Sequence, residues 1–285
     1  MYIRIGYELE FELPETTPML LMLYTHPGVS NTLLHPDHVR TEPVLPIDTF
    51  VDGFGNRCGR ILAPAGRLRL WSDTIILDNG LPDFGNPDAR QTPVEDLPVE
   101  TLTYLLGSRY CEVNSLSQIA WDLFGDAPEG WQRVKAVCDW IFTNVEFDYL
   151  RTNPDKTAMS VWIERSGVCR DFTHLAITFC RCLNIPARYA TGYLSNIGEP
   201  PTDAPADFSA FFEVYLDGVW YPFDARNNKA RLGRVLMARG RDAVDVALTT
   251  AFGEATMTKF VVWSEEVQSS ELPAELPSPS NAIYA

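Results

Sequence analysis

From Met1 to about Asn79, apolar and polar positions alternate over short runs that Gly, Pro, Asn and Asp residues separate. The clearest runs are YIRIGYELEFEL, PMLLMLYT and GRLRLWSDTIILDN. A period of two is typical of strands that bury one face. The pattern therefore predicts an antiparallel β domain at the N-terminal end of the chain.

Past Leu105 the apolar positions recur every three or four residues, in SLSQIAWDLFG and in EGWQRVKAVCDWIFTNVEF. This spacing predicts two helices that each bury one face. A third helix is predicted from about Cys169 to Leu183. It should end there because Pro186 cannot donate a helical hydrogen bond and disfavours helix just before it.

Strand patterns return after the third helix, in ARYATGYL, in SAFFEVYLDGVWYPFDA with Asp-Gly as its hairpin turn, and in TKFVVWSEEV. The connecting stretch LPDFGNPDARQTPVED has no period and is rich in Pro, Asp and Gly. We therefore expect an α+β protein with an N-terminal β-rich domain at 1–104, a second domain at 105–267 and a mobile Pro/Ser-rich tail at 268–285.

Composition narrows the classes of function. The net charge of −15 opposes binding to nucleic acid or to an anionic lipid surface. The sequence lacks a membrane-spanning apolar run and a signal-peptide pattern, which favours a cytoplasmic protein. The six cysteines are dispersed and have no zinc-ligand spacing, so we expect neither a disulfide scaffold nor a metal, and no cofactor.

Cys169 is the candidate nucleophile. It follows Ser166 and Gly167 and opens the most apolar predicted helix. Unpaired N–H groups and the helix dipole at that position are expected to lower a thiol pKa and favour the reactive thiolate. The alternative interpretation is a buried, inert cysteine.

Two segments resemble the transglutaminase-like superfamily. GVCRDFTHLAITFCRCLNIPARYATGYL is similar to its nucleophile segment, and DFSAFFEVYLDGVWYPFDAR is similar to its later hairpin, which normally reads His-Ala-Trp, Glu-Val-Tyr and Phe-Asp. The N-terminal part resembles the β-rich region that precedes this domain in bacterial members. The resemblance implies a papain-like domain in which the nucleophile helix packs on an antiparallel sheet. It also implies a cysteine hydrolase or acyl transferase that acts on peptide amide or glutaminyl groups.

The resemblance assigns roles position by position, and it leaves the catalytic triad incomplete. Cys169 matches the nucleophile and Asp224 matches the carboxylate that orients the base. The family's histidine position is occupied by Ser209, and Phe211 stands at the tryptophan position. A serine hydroxyl is not a base near neutral pH. Two alternatives remain open: an enzyme with an unrecognised base, or a pseudoenzyme that binds a peptide or protein.

None of the four histidines is an obvious replacement for the base. His174 lies five residues after Cys169 and therefore points away from it on the helix, which favours a packing role. His26, His35 and His38 belong to the N-terminal domain, and one could reach the cleft only if the domains pack across it.

Other residues near the predicted site have less specific signals. We expect Tyr149, Trp162 and Phe211 to contribute to substrate binding, although core packing is the alternative for Tyr149 and Trp162. Asp171 is interpreted as a helix-start residue, and Glu213 as either a cleft residue or a salt-bridge partner. The sequence leaves a homo-oligomer open.

Overall fold

The computed structural model describes residues 1–200 and 206–271, so 272–285, most of the predicted tail, lies outside the described residues. The described residues form four α-helices: α1 (Val113–Phe124), α2 (Trp131–Asn144), α3 (Ala158–Glu164) and α4 (Cys169–Cys182). They also form fourteen strands: β1 (Tyr2–Leu13), β2 (Thr17–Leu21), β3 (Arg40–Glu42), β4 (Asp48–Val51), β5 (Arg57–Ala63), β6 (Gly66–Leu77), β7 (Glu146–Phe147), β8 (Ser166–Gly167), β9 (Ala187–Leu194), β10 (Phe208–Leu216), β11 (Val219–Phe223), β12 (Arg234–Gly240), β13 (Thr249–Ala251) and β14 (Thr256–Val267).

The N-terminal strands form two antiparallel four-stranded sheets, in the orders β14-β1-β6-β3 and β13-β2-β5-β4. β1 pairs along its whole length with β6, and its alternating apolar residues, such as Ile3, Ile5 and Leu9, are buried. The predicted antiparallel β region is therefore confirmed. Two strands in these sheets, β13 and β14, come from the C-terminal end of the chain.

The third four-stranded sheet has the order β11-β10-β9-β12 and is also antiparallel. α4 packs against β10 and β9 and is surrounded by α1, α2 and α3. The helix is buried along almost its whole length because it lies at the centre of the helical core. This mixed architecture confirms the predicted fold class, with a helix that begins at Cys169 packed on an antiparallel sheet.

The third sheet contributes side chains to two hydrophobic cores. Phe212 and Val214 of β10 pack in the helical core, together with α4. Tyr193, Val235 and Met237 pack in the core of the N-terminal strands. The predicted division at 104/105 stays a prediction, but burial and strand pairing both link the two parts closely.

Several elements differ from the sequence pattern. The run PMLLMLYT predicted a strand to Thr25, but β2 ends at Leu21, and the Thr25 amide donates to the Asp37 carboxylate instead of to a neighbouring strand. α3 and β12 were not predicted, since seven residues are too few for a clear helical period and RVLMARG has no regular alternation. None of the helices in the described part of the chain is long and apolar enough to span a bilayer.

Candidate active site

The start of α4 is fixed by side-chain and backbone contacts around Asp171. This fully buried carboxylate accepts a hydrogen bond from the Val168 amide at 3.0 Å and one from the Arg170 guanidinium at 3.0 Å. Gly167 is required by close approach, because a Cβ there would lie 2.6 Å from the Asp171 Cβ. Asp171 therefore stabilises the first turn, which sets the position of Cys169.

Cys169 is half-buried, whereas the other five cysteines are buried. Burial raises the pKa of its thiol above the ordinary value, and the negative charges of Asp207 and Asp224 act in the same direction. Backbone N–H groups of Ala210 and Arg170 are directed at the sulfur and lower the pKa in part. The sequence predicted a depressed thiol pKa from the helix start alone, but desolvation outweighs that effect here.

Ser209 and Cys169 line the same open cavity, of about 300 Å³. Ser209 is the second residue of β10, and its neighbour Ala210 supplies the amide near the sulfur. The structure therefore brings the nucleophile position and the family's histidine position together.

Asp224 follows the last residue of β11, the strand next to β10. Its carboxylate accepts hydrogen bonds from four donors: the backbone amides of Arg226 and Asn227, the Asn227 side chain at 2.8 Å and Arg234 at 3.2 Å. A carboxylate has about four acceptor positions. Asp224 is therefore saturated, and it lines a neighbouring cavity of about 260 Å³ instead of the Cys169 cavity.

The residues predicted to bind substrate are separated in the structure. Tyr149 is exposed and lines the Cys169 cavity beside Phe147, whose ring centroid lies 4.8 Å away. Phe211 is buried, and the Arg234 guanidinium lies 4.3 Å from its ring centroid. The structure does not bring Trp162 to this cavity, because its ring stacks on Trp140 at 5.2 Å.

No histidine lines the Cys169 cavity among the residues the structure describes. His174 is fully buried, and its Nε2 accepts a hydrogen bond from the Ala243 amide at 3.1 Å. His35 lines a separate cavity together with residues of β1, β6 and β14. His26 lies near Glu213 and Arg239, where burial, together with the charge of Arg239, lowers its pKa to about 4.

Glu213 is a salt-bridge residue rather than a cleft residue. Its buried carboxylate binds Arg188 at 2.6 Å and Arg239 at 2.7 Å. These two cations hold its pKa below the ordinary value although burial opposes them. The cluster joins β9, β10 and β12 and stabilises the sheet that positions Ser209.

The structure adds charged residues that sequence reasoning missed. Asp207 and Arg226 line the Cys169 cavity, and so do Glu199 and Arg231, which pair with each other at 3.3 Å. Partial desolvation raises the pKa of the Asp207 carboxyl. The sequence already contained a signal for Asp207, which lies two residues before Ser209 and directly before the start of β10.

The geometry defines a class of protein: an α+β fold of papain type in which a half-buried cysteine opens the central helix beside an antiparallel sheet. Residues 118–225 match the family model described as the transglutaminase-like superfamily. A crystal structure from Cytophaga hutchinsonii, named a "putative cysteine protease", is 30% identical and superposes with a TM-score of 0.82, covering 96% of this chain and 93% of that chain.

A second relative is an uncharacterised protein of Mycobacterium leprae, 27% identical over 121 residues. That match covers 40% of this chain and 42% of the other, so it spans less than half of the relative's length. The family model and the match over nearly the whole Cytophaga chain agree. The chain therefore belongs to the transglutaminase-like superfamily, a family of peptidases and acyl transferases.

Proposed function

We propose that this chain is a pseudoenzyme of the superfamily, which binds a peptide or protein segment at Cys169 without efficient turnover. The observation that carries the proposal is the environment of the thiol. Burial raises the pKa of Cys169, and the described residues that line its cavity include no histidine. A general acid–base group contributes about 10² to 10⁴ in rate, and triad residues act as a unit. Ser209 at the histidine position therefore implies a large loss of activity.

The environment of Asp224 supports the same proposal. In a triad, the carboxylate accepts a hydrogen bond from the ring N–H of the histidine base. A histidine at position 209 would therefore need a free acceptor position on Asp224. Arg234 and Asn227 occupy that carboxylate instead. Asp224 therefore has a structural role in the pseudoenzyme: it neutralises a buried arginine and closes the turn after β11.

The cavity offers charged groups that a bound segment can use. Among the described residues, Asp207 has no ion-pair partner and the Arg226 side chain contacts Asn227 and the Phe147 ring. A peptide supplies both donors and acceptors along its backbone and side chains. These groups support a peptide or protein as the ligand.

A second candidate function is acyl transfer or hydrolysis at a peptide amide or glutaminyl group. The backbone amides of Ala210 and Arg170 near the sulfur favour it, since such donors stabilise a thiolate. This function would require a base other than a histidine of the described cavity.

Alkylation of Cys169 by iodoacetamide across a pH series separates the two functions. Because the other five cysteines are buried, mass spectrometry of the labelled chain reports mainly on Cys169, and Cys169→Ala provides the blank. The pseudoenzyme predicts slow labelling at neutral pH that is still rising above the ordinary thiol pKa of about 8.5. Rapid labelling at neutral pH would contradict it and favour the enzyme.

We further propose a bacterial, cytoplasmic protein. All six cysteines are free, which supports a reducing compartment, and both relatives come from bacteria. The net charge of −15 opposes nucleic acid as a partner.

A further inference from the structure

β14 is an unusually long strand at the edge of a sheet. It has 12 residues and pairs with β1 on one side only. The other edge strands of the four-stranded sheets, β3, β4, β11, β12 and β13, have three to seven residues. No backbone hydrogen bond to the outer side of β14 occurs within residues 1–200 and 206–271.

The centre of β14, from Phe260 to Ser264, lacks the charges that protect edge strands. Met257, Phe260 and Val261 are 45%, 40% and 42% exposed, and the strand contains no proline. Its bulge lies near its beginning, which leaves the stretch 259–267 regular. Lys259 is not an unpaired charge that would repel another strand, because its ammonium group forms ion pairs with Glu8 and Glu10. Long, apolar edges of this kind pair with another strand.

We propose that the partner is a second copy of this chain, paired antiparallel through β14. When two copies of a strand pair antiparallel about a two-fold axis, one residue lies on the axis, directly opposite the same residue of the other copy. With Val262 on the axis, Lys259 of each copy lies directly opposite Glu265 of the other. Both side chains lie on the same face of the sheet, since Lys259 contacts Glu8 and Glu265 contacts Arg4 within their own chain.

This register also places apolar residues together and makes a continuous eight-stranded sheet. Val261 lies opposite Trp263 on the outer face, and Phe260 lies opposite Ser264 on the face toward the core. The two Lys259–Glu265 pairs flank this centre symmetrically. Opposite charges at directly facing positions stabilise antiparallel pairing, and like charges oppose it.

A charge-reversal cycle tests the register. Sedimentation equilibrium of the full chain gives the dimer dissociation constant for wild type, Lys259→Glu, Glu265→Lys and the double variant. Each single change puts two like-charged pairs in the interface and should weaken the dimer about tenfold. The double variant should return to near the wild-type value.

Recovery in the double variant can come only from contact between copies. Within one chain the double change puts a carboxylate at position 259 beside Glu8 and an ammonium group at position 265 beside Arg4, so it restores no pair there. A double variant as weak as the single variants would overturn the register. A wild-type chain that stays monomeric over the whole concentration range would overturn the proposal.

Two valines provide a matched comparison of edges. Val261 on β14 and Val51 on β4 are both exposed residues of edge strands. Val261→Lys should abolish the dimer, whereas Val51→Lys should leave its dissociation constant unchanged, with thermal unfolding used to check that both variants fold. Equal effects of the two substitutions would contradict an interface at β14.

Hydrogen exchange identifies any other occupant of the edge. Amides of 259–265 that face outward should become protected as the concentration rises through the dimer dissociation constant. Protection that is independent of concentration and disappears when 272–285 are deleted would mean that the chain's own C-terminal segment covers the edge. That result would overturn the dimer.

Discussion

Asp207 and Ser209 lie two residues apart and both line the cavity of Cys169. One contributes a negative charge that raises the pKa of the thiol, and the other stands where the family has a base. The reactivity of Cys169 is therefore set at these two positions, and each can be tested by a single substitution.

Asp207→Asn should make Cys169 more reactive. Removing the carboxylate removes a charge that disfavours the thiolate, so the thiol pKa should fall and alkylation at fixed neutral pH should become several-fold faster. Glu199→Gln is the matched control, because Glu199 lines the same cavity but is paired with Lys229 and Arg231. Equal rates in both variants would show that Asp207 does not act on the sulfur.

Ser209→His should restore part of a catalytic base. An imidazole at this position lies beside Cys169 and should accelerate its alkylation at neutral pH by about 10². Ser209→Asn adds side-chain volume without a base and should give no gain. Phe211→Trp can be combined with the histidine if the cavity must reshape. If neither histidine variant gains reactivity, the pseudoenzyme is favoured, because Asp224 is held by Arg234 and cannot orient the new imidazole.

At the scale of elements, the start of α4 determines where the sulfur lies. Asp171→Ala would leave the buried amide of Val168 without its acceptor and Arg170 without its carboxylate. The expected cost is about 1–3 kcal/mol in the free energy of unfolding, measured by urea denaturation. Asp171→Asn keeps an acceptor for the amide and should cost less. If both variants lose the same free energy of unfolding, the cause would be the lost negative charge and not the lost hydrogen bond to the Val168 amide.

The elements with a strong local signal were predictable from the sequence. The helix from Cys169 ends at Cys182, close to the predicted Leu183, because Pro186 sets its limit. β12 was missed because RVLMARG has no regular alternation and a bulge lies between Leu236 and Ala238. The position of β14 in the N-terminal sheet was also missed, since strand pairing between chain ends leaves no trace in local periodicity.

The same limit applies to the candidate site. The alignment of motifs predicted that Cys169 and Ser209 lie together, and they line one cavity. It could not predict that Arg234 binds Asp224, because that contact depends on a strand the sequence pattern did not reveal. Nor could it predict the raised thiol pKa, which results from desolvation in the folded chain.

At the scale of the whole molecule, His26 links the N-terminal part to the third sheet. Its amide donates to Leu236 of β12, and its ring lies near Arg239 with a pKa lowered to about 4. In the unfolded chain a histidine titrates near 6.5. Between these values the unfolded state binds more protons, so the free energy of unfolding should fall as the pH drops from about 6.5 to about 4.

Urea denaturation at several pH values measures this dependence. His26→Asn cannot titrate but keeps an acceptor for the Gly28 amide, which His26 Nδ1 binds at 3.0 Å. This variant should lose less stability than wild type over the same pH interval. His174, whose pKa burial also lowers, should retain part of the dependence. A His26→Asn profile identical to that of wild type would remove His26 as a cause.

The two parts of the chain should not fold independently. A fragment of residues 105–271 would lose β1, the only partner that β14 has within the described residues, and would expose Tyr193, Val235 and Met237. An apolar surface of this kind on an isolated sheet favours aggregation. We expect the fragment alone to lack cooperative urea unfolding and a native near-UV spectrum, and we expect both to return when it is co-expressed with residues 1–104. A fragment that unfolds cooperatively by itself would show that the division at 104/105 is a true domain boundary, and that the shared core adds stability to a fold already complete without it.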